Sequence, residues 1–313
     1  MPKVSILIPV YNRQEYIAEC IQSALSQTYT DFEVVVVDNA SDDETWKICK
    51  EFAALDRRVR VFRNAVNIGP VRNWQRCAEE ATGEFCKILF SDDCLEPDCL
   101  SVMVPQLEDS DVALVYCAAF IGETKERAMV AYSAGTDLRM SSTRFLNLVL
   151  RGEAPVSPGA VLIRARDLRN NLHPRFPTAT PRPYDQHGAG PDVMISLLTA
   201  ANYPYVVAVS VPLVFFRAHA GSFTIENTKN WVAEGYLSAI SYYLLKSCGR
   251  KAWMSYVSHG WLRMARLKRG WISPKAHLLE YEGSGSVGES LVMLWCSFRH
   301  VINSLFGYKP DYL

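Results

Sequence analysis

The sequence predicts an α/β fold, a mostly parallel central sheet with flanking helices, followed by a C-terminal helical extension. Within the first 90 residues four short apolar, β-branched runs alternate with three segments of helical spacing. Strands joined through helices run parallel and are covered on both faces. Helical spacing returns from about Lys229, which sets the last third of the chain apart.

The elements follow in order. Val4 to Val10 reads as a buried strand, Glu15 to Gln27 as an amphipathic helix, and Phe32 to Val37 as a second strand ending in Asp38. Asp42 to Ala54 is a helix capped by Ser41 or Asp42, Val59 to Phe62 a strand, Pro70 to Ala81 a helix with proline in its first turn, and Glu84 to Phe90 a strand. Further strands are expected at Ala113 to Phe120, Ala160 to Arg164 and Val206 to Phe216, with a helix at Asp192 to Ala201. The proline-rich stretch from Leu172 to Gly190 reads as a long loop, of the kind that often carries function. Helices are expected at Lys229 to Lys246 and Ala252 to Leu267, and GSGSVG (Gly283 to Gly288) as a flexible link to a last helix.

Composition narrows the function. The 33 basic and 33 acidic residues balance, which argues against nucleic acid as a partner. The balance is uneven along the chain: eight cations and no acid lie between Lys246 and Lys275, so the remainder carries a net −8. Nine cysteines in apolar contexts, without metal-site spacing, read as reduced thiols of a cytoplasmic protein. The N-terminus enters a strand directly rather than a signal peptide, and no apolar run is long enough to span a bilayer.

In parallel sheets ligands bind beyond the carboxyl ends of the strands. There the chain places Pro9 to Asn12, Asp38 to Ser41, Arg63 to Gly69 and Ser91 to Asp93. The adjacent acids Asp92 and Asp93 repel one another and invite a divalent cation, although a turn with a helix cap is the structural alternative. Asp38 is a second strand-end acid with its own capping alternative. Neither a glycine-rich dinucleotide loop nor a P-loop follows the first strand, so bound phosphates would have to be met by side chains and a metal.

The segments SILIPVYNR, VVVDNASDDET, NIGPVRNW and the strand ending in SDD resemble, in order and spacing, the family 2 glycosyltransferases. The resemblance is strong over residues 3–100 and looser over 155–225. It implies the GT-A fold and inverting transfer from a nucleotide sugar. Carried over residue by residue, Pro9, Tyr11 and Asn12 would border the nucleotide, Asp38 would bind the base, and Asn67, Arg72 and Asn73 would flank the nucleotide. Asp93 would hold the metal, Mn²⁺ or Mg²⁺, with Asp92 nearer the ribose or diphosphate. Many relatives have an acid where this chain has Phe90, and a non-catalytic sugar-nucleotide-binding or scaffold protein is the alternative that this departure suggests. The QxxRW signature of processive members is absent, so one sugar per acceptor is expected.

An inverting transfer needs a general base. The resemblance points to Asp192, at the start of a helix, whose bland alternative is an acid favoured by the helix dipole; Asp185 is the rival. Arg217 and His219, two residues apart on an extended segment with Ser222 beyond, can approach a diphosphate and its metal together. Trp46 and Trp74 read as packing. The expected organisation is a catalytic domain at 1–225 (nucleotide-sugar half 1–110, acceptor half 111–225), a helical basic region at 226–282 and an amphipathic helix at 283–313. In the last, Val287, Leu291, Leu294, Trp295, Phe298, Val301, Ile302, Leu305 and Phe306 form an apolar stripe, with Glu289, His300 and Asn303 away from it. Either that stripe packs on the domain or, with the basic tract, it holds the protein to the inner face of a membrane. The acceptor would be a glycan or glycolipid, either polyprenyl diphosphate-linked or a lipopolysaccharide or capsule intermediate.

Overall fold

The computed structural model describes residues 2–178, 184–219, 231–266, 273–281, 283–305 and 312. The first half alternates as expected: β1 (Val4–Val10), α1 (Ile17–Leu25), β2 (Phe32–Asp38), α2 (Thr45–Leu55), β3 (Val59–Arg63), α3 (Pro70–Glu80) and β4 (Phe85–Ile88). All seven residues of β1 and of β2 are buried, as strands covered on both faces require. Ile6, Ile8, Val34 and Val36 pack into one core layer with Ile17 and Ile21 of α1, whereas Leu7, Val35 and Val37 join Val71 and Trp74 of α3 in the other. That alternation is the two-residue period of a strand, read out as two hydrophobic layers.

Among the described residues the sheet order is β3-β2-β1-β4-β9-β6-β10-β5, built with β5 (Cys94–Leu95), β6 (Val112–Gly122), β9 (Val161–Arg164) and β10 (Tyr205–Arg217). The pairs β1–β2, β2–β3, β1–β4 and β6–β10 are parallel. β9 runs antiparallel to both β4 and β6, so it joins two parallel blocks. The chain reverses its winding at β1, flanked by β2 and β4, and the crevice beyond the carboxyl end of β1 is the topological switch point where such sheets bind ligands.

Several elements depart from the sequence reading. Helix α4 (Cys99–Leu107) went unread because it carries Pro105 inside it and a weak apolar face. Helix α5 (Ser142–Arg151) has the caps that mark it, with the Ser141 hydroxyl accepting from Arg144 N–H and Gly152 in the left-handed region. Short strands β7 (Met129–Ala131) and β8 (Leu138–Ser141) edge the sheet, and α6 (Ala165–Asn171) follows β9 directly. The proline-rich loop contains one helical turn, α7 (Tyr184–His187), ahead of α8 (Pro191–Ala200). α2 begins at Thr45, later than expected, because Ser41 and Asp42 bond across to Asn12 instead of capping it.

Beyond these lie α9 (Trp231–Tyr243), a π-turn at Leu244–Cys248, α10 (Arg250–Arg266), α11 (Pro274–Glu280) and α12 (Val287–Leu305). Leu237, Trp253, Leu278 and Met293 from these four helices extend the core layer that holds α3 and α8. The segment ahead of α12 is no loose tether. Ser286 accepts from Glu289 N–H, and Glu289 accepts from Ser284 and from Gly285 N–H, a reciprocal helix cap.

Candidate active site

Three loops meet at the switch point. After β1, Asn12 takes a left-handed conformation, φ 49°, and its backbone N–H bonds the Ser41 hydroxyl at 2.9 Å. Its amide exchanges two bonds with Asp42, donating to the carboxylate at 2.7 Å and accepting from Asp42 N–H at 3.1 Å. Ala40, at φ 62°, lies in the facing turn, and such strain in a residue with a Cβ marks a turn held for a purpose. Asp38 is fully buried; its oxygens accept from Ser41 N–H and pair with Arg63 Nε at 3.0 Å. Arg63 in turn lies over the Trp46 ring. Pro9 is buried at the end of β1, and Tyr11 stands exposed beside it.

The NIGPVRNW segment forms an amide network on the same edge. Asn67 accepts from Asn39 and from Gly69 N–H, Asn39 accepts from Asn64 and Ile68 N–H, and Asn64 also donates to buried Asn73. Asn73 donates to Val37 O at 2.9 Å, which fixes α3 to the end of β2. Arg72 lies on the exposed side of α3. Of this network the resemblance singles out Asn67 and Asn73, whereas Asn39 and Asn64 fall in strand-end segments that the sequence marks without giving either residue a role.

Asp92 and Asp93 follow β4, and β10 brings Arg217 and His219 onto them. Arg217 N–H donates to Asp93 Oδ1 at 2.9 Å, its Nε to Asp92 O at 3.0 Å and its Nη2 to Glu19 Oε2 at 2.7 Å. His219 Nε2 sits 3.1 Å from Asp92 Oδ2, with its ring against Tyr16, and Arg13 Nε approaches the same oxygen at 3.5 Å. Burial first, then the charge of Asp92, pushes the Asp93 carboxyl well above the usual carboxylate range, while Lys87 and Arg217 favour its ionised form. Lys87, fully buried in β4, donates to the carbonyls of Gly159 and Ile88. Ser222 lies outside the described residues.

Among the described residues no three His, Cys, Asp or Glu side chains are arranged to hold an ion by themselves. Two adjacent carboxylates with an imidazole against one of them do suit Mg²⁺ or Mn²⁺ in the mode where one or two carboxylates share the ion with substrate phosphates. A cation there would also offset the repulsion that raises Asp93. The residues present therefore fit a divalent ion brought together with a diphosphate.

Asp192 opens α8. Its Oδ1 accepts from Gly190 N–H at 2.8 Å and Val193 N–H at 2.7 Å, and its Oδ2 from the Tyr236 hydroxyl of α9 at 2.6 Å. Burial pushes this carboxyl up to about 7 despite those three donors, which favour the charged form. Asp185 is placed differently, held by the Arg175 guanidinium at 2.8 Å. Gly188 and Gly69 let the 184–191 segment reach the site: a Cβ on Gly188 would strike the Trp74 ring, and one on Gly69 would lie 2.7 Å from Asp185 O. Trp74 packs on Phe90 at 5.3 Å between ring centroids, which links the Asp192 turn to the start of the SDD loop.

Residues 5–171 match the profile of glycosyl transferase family 2, slightly over half of the chain. The chain belongs to that family. Glycosyltransferase GlyG of Streptococcus pneumoniae is 28% identical over 178 residues, covering 54% of this chain and 59% of GlyG. Chondroitin synthase of Escherichia coli is 39% identical over 118 residues, 37% of this chain and 17% of that one. The matched part thus spans less than two thirds of either relative. Among solved structures, S. aureus TarS (residues 1–349) in complex with UDP-GlcNAc aligns with a TM-score of 0.59 at 15% identity, covering 96% of this chain and 92% of that one. At that identity the likeness shows the fold, the GT-A architecture of family 2.

Arg13, Tyr16, Glu19, Lys87 and Tyr236, to which the sequence reading assigns no part, touch or surround the strand-end acids or Asp192, as does Arg63, the first residue of a strand-end segment that the reading marks. Trp46 read as packing but carries the Arg63 that pairs with Asp38. All nine cysteines are free, and burial pushes the Cys49, Cys86 and Cys99 thiols to about 12, so these three are poor nucleophiles.

Proposed function

We propose that this chain is a divalent-cation-dependent, inverting glycosyltransferase that moves one sugar from a UDP-sugar to a hydroxyl of a glycan or glycolipid acceptor. Polyprenyl diphosphate-linked and lipopolysaccharide or capsule intermediates at the inner face of a membrane have the required chemistry. The observation that carries the reading is the convergence of Arg217 and His219 on Asp92 and Asp93 beside the switch point. UDP is proposed because TarS, of the same fold, is described with UDP-GlcNAc.

Residues 1–110 hold the donor in this proposal, and 111–225 receive the acceptor. Tyr11, Asn12 and the asparagine network border the nucleoside, with Pro9 beneath them and Arg72 at the outer edge. Asp38, enclosed by Arg63, meets the base at the turn it orders. Arg217 and Arg13 face the diphosphate. A cation that Asp93, with Asp92 or His219, would share with the donor's phosphates would supply Lewis-acid neutralisation of the departing diphosphate. Asp192 removes the acceptor hydroxyl proton as that oxygen attacks the anomeric carbon, UDP leaves from the opposite side, and the configuration inverts.

Screening UDP-sugars for Mn²⁺-dependent thermal stabilisation, then following transfer and the product's anomeric configuration by NMR, tests this. Tight binding without transfer or hydrolysis would favour the non-catalytic alternative, and retained configuration would remove the single-displacement step.

The base must be ionised to work, so with the Asp192 carboxyl at about 7, kcat should climb as pH rises through about 7 and level off above it. Tyr236→Phe removes a donor that favours the carboxylate, so the midpoint should move to higher pH. A wild-type midpoint near the ordinary carboxylate value of about 4 would exclude Asp192 as base. The linked effect on folding has the opposite slope. Because the folded state binds this proton more tightly, the stabilisation is complete below about pH 4 and is lost as pH rises through about 7.

A further inference from the structure

Helix α12 is amphipathic the wrong way round for a helix that only packs on a protein. Met293 and Ser297 are buried against the domain, the Ser297 hydroxyl reaching Ser258 O, and His300 reaches Ser255 O, both on α10. Glu289 is buried too, in the cap and in an ion pair with Arg250. The opposite face shows Leu291 61%, Trp295 57% and Phe298 63% exposed, with Val287 and Leu294 in line with them. Single exposed apolar side chains are ordinary, but a contiguous stripe with polar groups turned inward marks a surface that meets something apolar. Leu279 of α11 is also exposed and adjoins the start of α12 at Gly285. Ile302 and Leu305 have side chains outside the described set, and Phe306 lies beyond it.

We propose that this face of α12, extended by Leu279, docks the enzyme on an anionic lipid surface. The charge around it selects that occupant. Lys275 lies against Gly285 just ahead of α12, Lys251 follows the Arg250 that pairs with Glu289, and the exposed Arg299 lies over the Trp295 ring. Lys275, Arg250 and Lys251 belong to the tract from Lys246 to Lys275 that holds no acid, and Arg299 adds a cation from α12 itself. Cations around an apolar stripe complement anionic headgroups, with an aromatic ring suited to the interface. A second copy seated on the same face across a two-fold axis would bring like charge against like. No described helix is long and apolar enough to cross a membrane, so docking is by the face and not by a span. The proposal rests on the transfer reading only for the advantage it gives, since a glycolipid acceptor would then lie in the same plane.

The test is flotation of the full chain with phosphatidylcholine vesicles, with and without phosphatidylglycerol, at low and high salt and without sugar donor. The wild type should float with the anionic vesicles and less so in salt. Leu291→Ser/Trp295→Ser/Phe298→Ser should lower that partition at least tenfold while the melting temperature and transfer to a soluble acceptor stay unchanged. If the triple variant folds poorly, Lys275→Ala/Arg299→Ala keeps every apolar side chain and should still weaken anionic binding severalfold. A wild type that never floats, or variants that float equally, would overturn the proposal. So would a wild-type dimer that the triple variant renders monomeric without vesicle binding, since the face would then be an interface between copies. Transfer to the soluble acceptor reads the catalytic proposal separately.

Discussion

Asp192→Asn should lower kcat about 10²- to 10⁴-fold, the usual contribution of a positioned general base, and leave the affinity for a UDP-sugar nearly unchanged. The variant should fold, because an Asn oxygen can still accept from Gly190 and Val193 N–H and its NH₂ can donate to the Tyr236 hydroxyl. Its residual rate should also lose the rise near pH 7, since the group that titrates there is gone. Isothermal titration with the donor and single-turnover transfer to a soluble acceptor separate the two effects. Asp185→Asn is the control. Its carboxylate is engaged by Arg175, so transfer should fall little; the reverse ranking of the two variants would assign the base to Asp185.

Asp93→Asn should cost about 10³-fold in kcat/KM, roughly 4 kcal/mol of transition-state stabilisation. The same change should leave the melting temperature unchanged or raise it: a buried carboxyl raised well above its ordinary range costs stability when ionised, and Asn relieves that cost. The Asn oxygen can keep the bond from Arg217 N–H. Thermal stabilisation by Mn²⁺ with UDP should disappear in the variant while the protein alone melts as before or higher. Full activity of Asp93→Asn, or undiminished wild-type turnover in excess EDTA, would remove the metal from the reading.

The parts legible in the sequence were those fixed over short stretches of chain. β1, β2 and β4 announce themselves because strands buried on both faces are mostly apolar, here interrupted only by Ser5, Glu33 and Lys87, each buried with a polar partner, and the polar residues that stop each run lie at or beyond its carboxyl end. Asp38, Asp92 and Asp93 are thus placed on one edge of one sheet by local sequence alone. α4 is hard to read for lack of a pronounced apolar face, whereas α5 is marked by its caps at Ser141 and Gly152.

Local periodicity and strand-end chemistry already specify the α/β class, the strand-end acids and a last helix with a continuous apolar stripe. Which side chains meet is set by how distant segments pack. Arg217 reaches Asp93 across 124 residues, and Tyr236 reaches Asp192 across 44, through a sheet in which antiparallel β9 joins the parallel blocks. The last helix shows the same division. Its stripe is a matter of period, but whether Trp295 or Glu289 faces the domain depends on Ser255, Ser258 and Arg250 of another helix, which give polar groups buried partners and leave the apolar face outward. Periodicity is a property of one segment, whereas burial and the environment that raises Asp192 to about 7 are properties of everything packed around it.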